Sequence, residues 1–148
     1  MRRAVIGIGN PLRRDDGIGI ILVKKLREEK LSDVICIDAG TGGIQLLPIL
    51  SNYDRIIIVD AVNFNGKPGE TKVFNLDEIK IEKEKNLLSI HMMNIIEVIQ
   101  LYEKLEEKKL EVTIFGIKTY DTSPGTGLSP LLEEKLSEIK EELIRRIR

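Results

Sequence analysis

A few aspartates and the only histidine are the side chains in this sequence best suited to acid–base or metal chemistry. The pair Asp15-Asp16 follows a short apolar run, Asp38 and Asp60 each end another, and His91 lies at the start of a predicted helix. Crowded carboxylates in a partly desolvated cleft raise each other's pKa unless a cation or hydrogen-bond donors hold them ionised. Two carboxylates and one imidazole suit a divalent transition metal such as nickel, zinc or manganese.

Each of these residues also has a structural interpretation when it is taken alone. Asp15 and Asp16 could favour a helix N-terminus, and Asp60 could cap the turn that follows its strand. A single histidine at a helix start is often a surface or core group. The functional interpretation therefore depends on whether the fold brings the groups together.

Alternation of strands and helices supplies a way for these distant residues to meet. The β-branched run 55–60 has no polar alternation, which predicts a strand covered on both faces. We predict a single α/β domain over 1–148, a three-layer sandwich with a mostly parallel five-stranded sheet and helices on both faces. Such sheets bind ligands outside the carboxyl ends of their strands, where the aspartates lie. The predicted strands are 4–8, 34–37, 55–60, 71–74 (a weaker, edge strand) and 112–117. One predicted helix begins near Asp15-Asp16 and has its apolar positions between Ile18 and Leu26. The others run from Ile44 to Leu50, from about Ile90 to Leu105 and from Pro130 to Ile147.

Composition excludes several classes of protein. The chain has 148 residues and a net charge of -1, which gives no electrostatic basis for generic binding to nucleic acid or to a membrane surface. The lone Cys36 excludes an internal disulfide and a zinc site of several thiolates, and its strand context predicts a buried thiol. The apolar run 4–8 is too short for a signal peptide, and no run approaches the ~20 residues of a membrane helix. We therefore expect a soluble, cytoplasmic protein.

Two glycines after the first strand raise the question of nucleotide binding. Gly7 and Gly9 supply two glycines of a dinucleotide fingerprint, but Leu12 occupies the third position. The following helix begins late, beside two acids that would repel a pyrophosphate. Nucleotide binding is therefore disfavoured.

Several motifs together resemble those of the hydrogenase maturation proteases, the endopeptidases that trim the C-terminal extension from the large subunit of nickel–iron hydrogenases. The segment 7–19, GIGNPLRRDDGIG, is similar to the opening motif of that family. Shorter similarities follow in order at 38–43 (DAGTGG), 59–62 (VDAV), 89–91 (SIH), 116–117 (GI) and 127–130 (GLSP). The resemblance thus spans most of the chain.

The resemblance implies a set of site residues and a partner. Metal-binding positions of the family fall on Asp16, Asp60 and His91, although the family often has Glu at the first of these. It implies that nickel arrives in the hydrogenase large-subunit precursor, so that the protease recognises a loaded substrate; zinc or another divalent metal could take its place in vitro. An unloaded substrate would leave several buried charges without a partner, which is costly.

The chemistry of peptide cleavage has two candidate routes. A metal could polarise the scissile carbonyl or activate a water. Alternatively, Asp16 or Asp38 could act as a general base on water, as in an aspartyl-type endopeptidase. Gly40, Thr41 and Gly42 are candidate substrate-binding residues because glycines allow close backbone approach. A covalent acyl-enzyme is disfavoured because no Ser-His or Cys-His pair stands out.

Two other functions remain open from the sequence. A response-regulator receiver domain also places acids after its first and third strands and a lysine after its fifth, an arrangement that Asp15-Asp16, Asp60 and Lys118 imitate. His91 and the glycine loop after Asp38 have no use in that class. The third hypothesis is a module that inspects nickel loading without cutting.

Overall fold

A five-stranded sheet forms the centre of the computed structural model, which describes residues 2–78 and 89–148. The strands are β1 (Arg3–Gly7), β2 (Val34–Asp38), β3 (Arg55–Ala61), β4 (Thr71–Asn75) and β5 (Glu111–Ile117). Their order in the sheet is β2-β1-β3-β5-β4, and every neighbouring pair is parallel except β4 with β5. The antiparallel β4 lies at one edge, as the weaker apolar pattern of this segment predicts.

Helices cover both faces of the sheet and create two apolar cores. They are α1 (Ile18–Glu28), α2 (Ile90–Glu106) and α3 (Pro130–Ile147), with 3₁₀ helices at Arg14–Gly17, Ile44–Asn52 and Leu76–Glu78. On one face α1 and α3 pack on Val5, Ile57 and Phe115; on the other α2 and a 3₁₀ helix pack on the alternate side chains, such as Ile6 and Ile58. This alternation follows from the two-residue period of a strand. The predicted three-layer α/β sandwich is confirmed.

Two local predictions need correction. The helix expected from Ile44 to Leu50 is a 3₁₀ helix that extends to Asn52 and contains Pro48, which has no N–H for a helical hydrogen bond. Cys36 lies in a strand, as expected, but is only half-buried because β2 is an edge strand. Partial burial nevertheless raises the pKa of its thiol.

Glycines near the first strand allow α1 to lie unusually close to the sheet. A Cβ on Gly19 would stand 2.2 Å from the Val59 carbonyl oxygen, and one on Gly7 would stand 2.3 Å from the Gly19 carbonyl oxygen. Gly9 has a φ of +146°, and a Cβ there would meet the Asp16 carbonyl oxygen at 2.1 Å. These glycines serve backbone packing that places Asp16 beside the end of β1.

None of the helices in the described parts of the chain has the length and apolarity required to span a membrane.

Candidate functional site

Asp16 and His91 meet at the carboxyl edge of the sheet, although they are 75 residues apart in the chain. Asp16 lies in the 3₁₀ helix after β1, and His91 lies in the first turn of α2. The Asp16 Oδ2 atom is 2.8 Å from His91 Nε2, and it also accepts a hydrogen bond from the Asn10 N–H at 3.0 Å. Their side chains are 15% and 16% exposed, so solvent or a substrate can reach the pair.

Asp60 lies at the end of the central strand β3, is fully buried, and is near enough to Asp16 and His91 for their charges to affect its pKa. Its Oδ2 atom accepts a hydrogen bond from the Ser89 hydroxyl at 2.5 Å. Its Oδ1 atom is buried and has no hydrogen-bond partner within residues 2–78 and 89–148. Because buried carboxylate oxygens are nearly always paired, the open Oδ1 marks a position where a ligand could bind.

Electrostatic coupling joins the three groups. The hydrogen bond from Asp16 raises the pKa of His91 against the effect of burial, and the charges of Asp16 and Asp60 add to this rise. Burial favours a higher pKa for Asp16, but the hydrogen bond and charge of His91, with the Asn10 N–H, hold that pKa below its ordinary value. Each group therefore favours the charged form of the other, the carboxylate of Asp16 and the imidazolium of His91.

The pKa of Asp60 is shifted in the opposite direction from that of Asp16. Burial raises the pKa of Asp60 to about 8. The Ser89 hydrogen bond, the charge of His91 and the nearby Ala61 N–H oppose the rise, and the charge of Asp16 adds to it. Asp60 is therefore largely protonated at neutral pH. Deprotonation would require a positive charge close to it, such as a metal ion.

The donor set fits a divalent metal, but it is not assembled as a finished metal site. Two ligands about 2.1 Å from one ion and at right angles lie about 3 Å apart, close to the 2.8 Å between His91 Nε2 and Asp16 Oδ2. Within the described ranges, no three His, Cys, Asp or Glu side chains already surround a common point at which an ion could sit. The convergence of Asp16, Asp60 and His91 on one ion stays a prediction.

Asp15 has a different role from its neighbour. It is fully buried, and it accepts hydrogen bonds from the N–H groups of Tyr120, Asp121 and Ser129 and from the Ser129 hydroxyl, at 2.7–3.0 Å. These bonds fasten the loop after β5 and the start of α3 to the 3₁₀ helix that carries Asp16. The loop 120–127, which follows the last strand, therefore lies alongside residues 12–15.

Asp38 ends β2 and begins the glycine loop. Its Oδ1 accepts from the Gly40 N–H at 2.9 Å, and its Oδ2 is 3.9 Å from Lys24 Nζ. These contacts do not include Asp16, Asp60 or His91. The catalytic role predicted for Asp38 is therefore untested by the geometry.

The glycine loop itself reaches the site. The Gly40 carbonyl accepts from the Gly9 N–H at 2.7 Å, and a Cβ on Gly42 would be 3.1 Å from the His91 carbonyl oxygen. A Cβ on Gly40 would meet no atom within 4 Å, and Thr41 is exposed. The loop thus offers open backbone between the Gly9 turn and the first turn of α2, which is compatible with the predicted substrate-binding role.

Sequence reasoning missed two contacts. The sequence predicts a helix from about Ile90, and Ser89 is its N-cap, but the sequence does not predict that Ser89 donates a hydrogen bond to Asp60. Sequence reasoning treated Asp15 and Asp16 as a pair, whereas only Asp16 faces His91. The Ser129-Pro130 start of α3 carries an N-cap signal, but nothing in the sequence names Asp15 as its second partner.

Comparison with known proteins gives consistent results. The family model described as hydrogenase maturation protease (HycI) matches residues 20–146. The chain is 29% identical over 151 residues to the hydrogenase 2 maturation protease of Escherichia coli K12, covering 100% of this chain and 92% of that protein. It is 34% identical over 142 residues to the coenzyme F420 hydrogenase subunit delta of Methanothermobacter thermautotrophicus, covering 89% and 85%. The solved hydrogenase maturating endopeptidase HybD from E. coli aligns with a TM-score of 0.84 at 29% identity, covering 100% of this chain and 93% of that one.

Proposed function

The chain belongs to the hydrogenase maturation protease family, and we propose that it removes the C-terminal extension of a nickel–iron hydrogenase large subunit after nickel has been inserted. Membership of the family makes the chain a peptidase. The identity of the substrate, the part played by nickel and a cytoplasmic location belong to the proposal.

One observation carries the proposed recognition of nickel. Asp16 and His91 are in contact at the rim of the sheet, and the buried Asp60, whose pKa their charges affect, has one oxygen without a partner among the described residues. A nickel ion held by cysteines of the precursor would bring positive charge and open coordination positions to this set. The nickel is then part of the substrate.

Selection against unloaded precursor follows from the same groups. Docking of a precursor without the ion would remove water from the partly exposed Asp16–His91 pair. It would also supply no ligand for Asp60 Oδ1, which has no hydrogen-bond partner in the described part of the chain. A buried polar group without a partner costs about 1–3 kcal/mol, and more when it is charged. Binding to the loaded precursor is therefore favoured, which makes the site a test of metal loading.

The lowered pKa of Asp16 bears on which of the two predicted aspartates acts as the base. A carboxylate with a lowered pKa accepts a proton poorly, so Asp16 suits metal ligation better than general-base catalysis. Of the two predicted catalytic aspartates, we therefore assign proton transfer from water to Asp38, which adjoins the open glycine loop. Gly40 to Gly42 would hold the substrate backbone beside it.

The receiver hypothesis is wrong. A receiver sheet is of the flavodoxin-like type with order 2-1-3-4-5, whereas β4 here is an antiparallel edge strand next to β5. Lys118, which would have to face the acids, donates to Asn63 Oδ1 at 2.8 Å. Because the family consists of proteases, a checkpoint without cleavage is also disfavoured.

A processing assay tests the proposal. Purified protein is mixed with a large-subunit precursor in nickel-loaded and nickel-free forms, and the mass of the precursor is followed. We expect the loaded form to lose its C-terminal segment and the unloaded form to stay intact. A loaded precursor that binds but keeps its mass would refute the assignment, and equal cleavage of both forms would refute nickel recognition.

A further inference from the structure

The Ser89 hydroxyl makes two hydrogen bonds that join a helix to the site. Its Oγ accepts from the Met92 N–H at 3.0 Å, which caps α2, and it donates to Asp60 Oδ2 at 2.5 Å. His91 lies in the helical turn that this cap begins. The same hydroxyl is thus in contact with one predicted metal ligand and starts the helix that carries another.

Ser129, on the opposite face of the sheet, also caps a helix and bonds a buried aspartate, and comparison with it shows what is particular to Ser89. Ser129 caps α3 in the same way and donates to the buried Asp15 at 2.8 Å. Both oxygens of Asp15 are occupied, because backbone N–H groups bind them as well. In the described ranges, Asp60 Oδ1 has no such partner. In the Ser129–Asp15 pair both carboxylate oxygens are hydrogen-bonded, so this pair is a closed structural clamp. In the Ser89–Asp60 pair one carboxylate oxygen has no hydrogen bond to a described residue.

Fixing one carboxylate oxygen determines where the other one lies. Because Ser89 holds Oδ2 and β3 holds the backbone of Asp60, rotation of the carboxyl group is restricted. We infer that Ser89 is a positioning residue: it holds Asp60 so that the buried Oδ1 stays free to bind the substrate's metal, and it starts the helix that places His91 beside Asp16. This role rests on the proposed function. Partners of this kind, bonded to metal ligands, commonly change metal affinity by 10–100-fold.

Substitutions at Ser89 can separate helix capping from positioning. Glycine is nearly as good an N-cap as serine, but it has no hydroxyl, whereas threonine keeps both hydrogen-bonding functions. The readout is the dissociation constant for Ni²⁺ alone, measured by calorimetry on the whole protein, with the melting temperature measured alongside. We expect Ser89→Gly to weaken Ni²⁺ binding about 10- to 100-fold and to lower the melting temperature by a few degrees, because Asp60 Oδ2 loses its hydrogen bond. Ser89→Thr should restore most of the affinity and of the melting temperature.

Ser129→Gly is the matched control, because it removes the equivalent hydroxyl from the closed clamp. We expect it to lower the melting temperature less than Ser89→Gly does, since Asp15 keeps its backbone partners, and to leave Ni²⁺ affinity within about twofold of wild type. Equal losses of Ni²⁺ affinity in both variants would assign the effect to general destabilisation and overturn the inference.

Failure of the inference and failure of the proposed function give different results. A wild-type isotherm that Ser89→Gly leaves unchanged would overturn the role of Ser89 alone. Wild-type protein that shows no binding of Ni²⁺ would contradict the proposed metal recognition, and the inference with it.

Discussion

Replacement of Asp60 by asparagine should change the pH dependence of stability in a way that can be worked out from the site. Burial raises the pKa of Asp60 to about 8, whereas an aspartate in an unfolded chain has a pKa of about 3.9. Between these two values the folded protein keeps a proton that the unfolded chain has lost. Stability contributed by this proton is fully present below the lower pKa and is lost as the pH rises through the higher one.

The expected magnitude follows from the size of the shift. One pH unit corresponds to about 1.4 kcal/mol, so a rise of about four units in the pKa of Asp60 is worth at most about 6 kcal/mol. The side-chain amide of the variant Asp60→Asn does not ionise, and its oxygen can still accept from Ser89. Relative to wild type, the variant should therefore gain about 1 kcal/mol in free energy of unfolding for each unit of rising pH.

Urea unfolding of both proteins at a series of pH values between about 5 and 8 measures this difference. Asp54→Asn is a control of opposite sign, because the Arg2 N–H lowers the pKa of that exposed carboxyl. The free energy of unfolding that Asp54→Asn lacks relative to wild type should stay constant between about pH 5 and 8. It should shrink only below about pH 4, as the pH falls through the folded pKa, so this variant is followed to lower pH. If the curves for wild type and Asp60→Asn run parallel, Asp60 is ionised in the folded protein and the reasoning about its burial is refuted.

Two further predictions distinguish the structural aspartate from the site. Asp15→Asn places an amide among four hydrogen-bond donors, so we expect a loss of roughly 3 kcal/mol in the free energy of unfolding by urea titration, and a loss below about 1 kcal/mol would contradict the clamp. His91→Ala and Asp60→Ala should abolish Ni²⁺ binding in calorimetry while the folded state is retained. The Asp16–His91 pair is partly exposed, and Asp60 Oδ1 has no hydrogen bond to any described residue, so neither side chain is expected to be essential for folding. Melting curves that collapse for both variants would instead assign these residues to the support of the fold.

The sheet and its helices were predictable because their signals are local. A β-branched run without polar alternation, such as Arg55–Ala61, has no stable place except between two covering layers. N-cap serines fix where the helices begin, and α2 and α3 start as predicted, at Ile90 and Pro130. The burial of Cys36 was overestimated because it depends on strand order, which no local pattern encodes.

The sequence indicates which residues belong to the site better than it indicates what each of them does. Parallel strands bring the ends of β1, β2 and β3 to one edge, so the meeting of Asp16 with His91 near Asp60 follows from topology. The opposite roles of Asp15 and Asp16 depend on how the 3₁₀ turn is oriented, with Arg14 at a positive φ of 45°, and tertiary contacts determine that orientation. The bond from Ser89 to Asp60 likewise requires α2 to be docked on the sheet.

X-ray absorption at the nickel edge tests most directly whether Asp16, Asp60 and His91 bind a nickel ion carried by the substrate. Spectra are compared for nickel-loaded precursor alone and for the same precursor freeze-quenched with wild-type protein or with His91→Ala. Wild-type protein should add nitrogen and oxygen scatterers, including an imidazole signature that the variant lacks. Identical nickel spectra with and without wild-type protein, in mixtures where the complex has formed, would contradict the account.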